Sequence, residues 1–78
     1  MRFPSKEQIA ARRERYPRGT KVELLGMDDP QAPPTGTLGE VMGVDDAGQL
    51  LVRWETGSSL SLIPDVDSFR IVQKGGQS

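Results

Sequence analysis

The chain of 78 residues sets 10 Lys and Arg against 11 Asp and Glu, for a formal net charge of −1, and contains no cysteine and no histidine. That length makes one domain burying only about 60% of its unfolded surface, and without cysteine neither a disulfide framework nor a thiolate metal site can staple it. No uninterrupted apolar run exceeds three residues, too short for a signal peptide or a membrane span, so a soluble, cytoplasmic chain is expected.

The near-neutral total hides an asymmetry. Residues 1–21 carry seven cations and two acids, whereas residues 22–78 carry three cations and nine acids. A basic arm on an acidic body either contacts an anionic partner or docks on its own domain.

Met1 to Pro4 reads as an extended lead-in anchored by Phe3. Ser5-Lys6-Glu7-Gln8 fits a capping box, Ser5 capping backbone donors and Gln8 reaching back to the cap. A helix is expected over about 5–16, ending near Tyr16 because Pro17 disfavours helical geometry in the residue before it. Its apolar stripe, Ile9 and Tyr16, is narrow, and Phe3 with Ile9 suits a hydrophobic staple. At about three turns the helix is marginal alone and needs the rest of the domain to hold it.

Thr20 to Leu25 predicts a first strand with Val22 and Leu24 facing in. Gly26 to Thr35, with prolines at 30, 33 and 34, is a loop stiffened by proline. Gly36 to Pro64 then alternates apolar and polar residues in three runs separated by two Gly-containing turns, a three-stranded antiparallel meander. In its middle run Leu50, Val52 and Trp54 share one face, while Leu51, Arg53 and Glu55 share the other. Leu60 and Leu62 face in from the next run. Asp45-Asp46-Ala47-Gly48 and Glu55-Thr56-Gly57 supply the hairpin turns. Gly39 and Gly43 fall inside a strand, where a bulge or sharp bend is their expected use. Pro64 to Ser68 reads as a single helical turn, Phe69 to Val72 as a last strand with Phe69 and Ile71 on one face, and residues 73–78 as a disordered tail. The expected fold is therefore mainly β: a small five-stranded SH3-like barrel over about 20–72 carrying an N-terminal α-helix, a single domain over 1–72. An OB-type barrel is the alternative, but the helix it places between its third and fourth strands has no counterpart here.

For chemistry, the lack of histidine and cysteine removes the commonest general base, the thiol nucleophile and the usual transition-metal ligands. The acidic pairs Asp28-Asp29, Asp45-Asp46 and Asp65/Asp67 read as turn caps, and no EF-hand pattern accompanies them. Gly36, Gly39 and Gly43 do not open a helix after a strand, so they do not cradle phosphate. No catalysis, metal or cofactor is expected. Trp54 shares parity with core residues; half-exposed beside the proline loop, it would instead edge a peptide groove with Asp28, Asp29, Pro33 and Pro34. Arg12, Arg13, Arg15, Arg18 and Lys21 are the candidate phosphate-backbone contacts, although helical spacing spreads them and only Tyr16 lies among them for stacking.

Several strings carry a resemblance: Arg2-Phe3-Pro4-Ser5, Tyr16-Pro17-x-Gly19-Thr20-x-Val22-Glu23-Leu24 and Met27-Asp28-Asp29-Pro30-x-Ala32-Pro33-Pro34-x-Gly36-Thr37. Gly39-x-Val41-x-Gly43-Val44-Asp45, Val52-x-Trp54-x-x-Gly57-Ser58-Ser59-Leu60 and Val66-Asp67-Ser68-Phe69-Arg70 follow in order. Over residues 1 to about 72 the chain resembles a family of small bacterial proteins with a domain of unknown function, often encoded on conjugative elements and in phages. More loosely, Gly36–Gly57 is similar to KOW- and Tudor-type barrels, an analogy of fold. The resulting expectation is a monomeric, non-catalytic interaction module binding an unknown protein partner. The alternative is a nucleic-acid-binding accessory protein that uses the basic helix.

Overall fold

Ser5 opens the helix α1 (Lys6–Arg15) in the computed structural model, which describes residues 4–75. The Ser5 hydroxyl accepts the Gln8 N–H at 3.2 Å and the Gln8 side-chain oxygen accepts the Ser5 N–H at 2.8 Å, the capping box expected from the sequence. The helix stops at Tyr16, immediately before Pro17. Ile9 and Tyr16 are buried along it. Phe3, the expected staple partner of Ile9, lies outside the described residues.

Four strands follow: β1 (Lys21–Gly26), β2 (Leu38–Val44), β3 (Leu50–Trp54) and β4 (Ser68–Gln73). They form one antiparallel sheet in the order β3-β2-β1-β4. At the tip of the β2–β3 hairpin, Asp45 works as the sequence suggested. Its carboxylate accepts the N–H groups of Ala47 at 3.0 Å and Gln49 at 2.8 Å, and its carbonyl accepts that of Gly48. Gly48 has φ +81°, the left-handed geometry this turn demands. The β2–β3 register shifts between Val41 and Gly43, so Gly43 does mark a bulge.

Two expectations are corrected. The five-stranded SH3-like barrel is instead an open four-stranded sheet, in which β3 and β4 lie on opposite edges and do not pair. The missing strand is the run after Gly57. It follows β3 but meets its backbone at two places: Trp54 N–H to Ser58 C=O at 2.9 Å, and a reciprocal pair between Leu50 and Leu62. Between them, Leu60 turns its backbone to side chains. Its carbonyl accepts the Trp54 indole N–H at 2.9 Å, and its N–H donates to the Ser58 hydroxyl at 3.3 Å. Groups bonded to side chains cannot extend a ladder, so alternation there produced no strand. Gly39 is the second correction. It pairs in register with Trp54 and makes no bend; a Cβ there would lie 2.6 Å from Val52 Cγ1 and 2.7 Å from Trp54 Cε3.

The core lies on the inner face of the sheet. Val22, Leu24, Val41, Leu50, Val52 and Trp54 bury there together with Leu62, and Ile9 and Tyr16 close it from the helix. Met27 and Phe69 pack at its margin, the Phe69 and Tyr16 rings 5.6 Å apart between centroids. After β4, the Gly75 N–H donates to the buried Thr20 hydroxyl at 3.1 Å; residues 76–78, the rest of the expected tail, lie outside the described residues. No helix among the described residues is long and apolar enough to cross a membrane.

Candidate functional site

The proline loop lines neither of the two cavities described below, whereas Trp54 borders the one on the outer face of the sheet. Trp54 is 1% exposed and faces the core. Asp28, Asp29 and Pro34 are exposed, whereas Pro33 is buried. Asp29 caps its own turn, its carboxylate accepting the Gln31 N–H at 2.8 Å and its carbonyl the Ala32 N–H at 3.0 Å. Pro34 accepts both the N–H and the hydroxyl of Thr37. Asp67 likewise accepts the Ile63 N–H at 2.8 Å. These carboxylates brace turns.

The five basic residues are dispersed. Arg12, its side chain 18% exposed, donates to the Gly48 carbonyl at 2.8 Å and to Asp65 at 2.9 Å. Arg13 donates to the Val44 carbonyl at 3.2 Å and stands 3.7 Å from Asp46. Both reach the β2–β3 hairpin, so they fasten α1 to the sheet. Arg15 lies 5.7 Å from the centre of the Tyr16 ring, and Lys21 stands 3.8 Å from Glu40 on the sheet. Arg18 is exposed. A cavity of about 330 Å³ between the end of α1 and the turn at Pro64 is lined by Arg12, Arg15 and Tyr16, with Asp65 on its wall.

A larger concavity lies on the outer face of the sheet. Alternation sends Lys21 and Glu23 of β1, Leu38 and Glu40 of β2, and Leu51 and Arg53 of β3 away from the core. Register places Glu40 opposite both Lys21 and Arg53, and its carboxylate stands 3.8 Å from the ammonium and 3.7 Å from the guanidinium. One row along, Leu38 lies opposite Glu23, which accepts from Arg70 of β4 at 2.6 Å. A cavity of about 460 Å³ opens here, lined by Lys21, Leu38, Glu40, Arg53, Val72 and Gln73 among others. Leu38 and Val72 are 38% and 48% exposed.

The family model described as Domain of unknown function (DUF4314) matches residues 5–72. The chain belongs to this family. No curated protein and no solved structure matches it. The DUF4314 match begins at the capping Ser5 and ends at Val72, so it takes in α1, β1, β2, β3 and all but the last residue of β4. Within that domain the outer-face residues Leu38, Glu40 and Val72 escaped the sequence reading. The available signal was parity: Leu38 and Glu40 fall out of phase with Gly39 and Val41 and so belong to the face that Arg53 already marked.

Proposed function

We propose that this DUF4314 chain is a non-catalytic protein-interaction module that engages its partner through the outer face of the sheet, in a mobile-element or phage setting. The supporting observation is the outer-face cavity, which joins exposed Leu38 and Val72 to the ion row Lys21–Glu40–Arg53. Apolar anchors ringed by charge suit a protein partner: burial of the anchors supplies affinity and the charges select the register. Leu38 takes the anchoring role that the sequence offered to Trp54. The family resemblance supports the mobile-element setting.

Nucleic-acid binding through the helix is the less favoured reading. Arg12 and Arg13 are engaged by the hairpin, which leaves Arg15 and Arg18 as the arm's arginines with no carboxylate partner among the described residues. Two separated cations release few counterions, so affinity for duplex would be low and only weakly dependent on salt.

Affinity capture from the native host with three baits tests the choice. The wild type and an Arg15→Ala/Arg18→Ala variant should retain the same protein after nuclease treatment, and Leu38→Glu should lose it. Retention that follows the arginines and disappears with nuclease would overturn the protein reading.

A further inference from the structure

The cavity of about 330 Å³ between the end of α1 and the turn at Pro64 plays no part in recognition by the outer face. Two of the side chains lining it hold hydrogen-bond donors with nothing to bond. Arg15 has no carboxylate partner among the described residues, and its guanidinium lies over the Tyr16 ring, 5.7 Å from the centre. Contact with a ring face holds the cation and leaves its N–H groups unspent. Tyr16 is 8% exposed, and its hydroxyl has no hydrogen-bond partner among the described residues. Among those residues no unbonded side-chain oxygen is sealed from solvent, so the hydroxyl can be reached. Arg12, the third donor, is fixed by the Gly48 carbonyl at 2.8 Å and shares its other edge with Asp65 at 2.9 Å. The carbonyl end of a helix disfavours an anion by itself, but arginines at 12, 13 and 15 crowd this last turn and reverse the local sign.

We infer that this cavity binds the carboxylate of a small organic monoanion. The planar guanidinium of Arg15 takes the carboxylate oxygens and the Tyr16 hydroxyl donates to one of them, a fork of donors that suits a carboxylate. Asp65 on Arg12 shows a carboxylate already accommodated at the same cavity. Charge sets the class of ligand. Arg12 and Arg15 against Asp65 leave one formal positive charge, which a single carboxylate neutralises. A dianion would leave unpaired negative charge facing Asp65. The Tyr16 ring and Pro64 supply an apolar wall for a short alkyl tail, and the volume lies at the small end of the range for ligand pockets. That is room for a free acid of a few carbons. The inference is independent of the partner reading, because the two cavities share no lining residue.

Butyrate is the probe, titrated into the full chain at constant ionic strength and followed by amide chemical shifts. Shifts at Arg15, Tyr16 and Asp65 should saturate in the millimolar range, the scale set by so few heavy atoms. Butyramide, the neutral isostere, should leave them unmoved. Arg15→Ala should weaken binding about tenfold and Tyr16→Phe about fivefold. Tyr16→Phe should melt with the wild type, because the hydroxyl has no partner to lose. Asp65→Asn should tighten binding severalfold: Arg12 stays on the Gly48 carbonyl and gains free donors, a change that a merely structural role would not produce. Inorganic phosphate should bind more weakly than butyrate, and a blocked peptide carrying one glutamate no more tightly. Absence of saturating shifts, affinity unchanged in Arg15→Ala and Tyr16→Phe, or tighter binding of phosphate or of the peptide would each overturn the inference.

Discussion

Trp54 lies across a residue with no side chain. A Cβ on Gly39 would stand 2.7 Å from Cε3 of the indole, closer than side chains pack. The two are register partners on β2 and β3, so the bare backbone of one strand is the floor on which the largest core side chain of the next rests. The indole N–H then reaches Leu60, which ties the segment after β3 to the same point.

Gly39→Ala is therefore expected to cost about 1–3 kcal/mol, because neither the backbone nor the packed ring can move aside freely. Gly43→Ala is the contrasting substitution in the same strand. Nothing lies within 4 Å of a Cβ there and its φ is not positive, so its effect should stay within about 0.5 kcal/mol. Urea denaturation of the two variants beside the wild type measures both.

Trp54→Phe retains a ring but leaves the Leu60 carbonyl without its donor. The loss should be about 2 kcal/mol or more, from the unpaired carbonyl and the smaller ring together. The amide of Leu62, bonded to Leu50 at 2.9 Å, should exchange faster as Ser58–Leu62 loosens. Hydrogen exchange by NMR reads that local change separately from global unfolding.

Arg12 and Arg15 differ by one helical turn and should differ in consequence. Arg12→Ala removes two charge-assisted hydrogen bonds from a largely buried guanidinium and should cost about 1–3 kcal/mol. Arg15→Ala should stay within about 0.5 kcal/mol. The Asp65 side chain is 82% exposed, so Asp65→Asn should cost less than about 1 kcal/mol, marking the Gly48 carbonyl as the partner that matters more. Thermal melts of the three variants check the ranking.

The elements that sequence exposed best are those set by local chemistry. Ser5 and Gln8 could be recognised as a cap because both halves of the box lie within four residues, and Asp45 with Gly48 as a turn for the same reason. The barrel failed at Leu60, where a side chain from six residues away took a carbonyl that alternation had assigned to a ladder. Hydrophobic parity records which face a residue seeks, not which donor its backbone meets. The role of Gly39 was hidden in the same way, since only the packed indole explains it. For the site, Trp54 was the obvious candidate by size, yet size is also what drew it into the core. Parity could place Leu38 on the outer face, but only register set it beside Glu23 and the outer-face cavity.

Site-specific photo-crosslinking in the native host tests partner recognition by the outer face most directly. A photoreactive residue would replace Leu38 in one variant and Arg15 in another. The expected result is a discrete protein adduct from position 38 that survives nuclease, and none from position 15. Adducts to nucleic acid at position 15, with position 38 silent, would contradict the proposal and return the function to the basic helix.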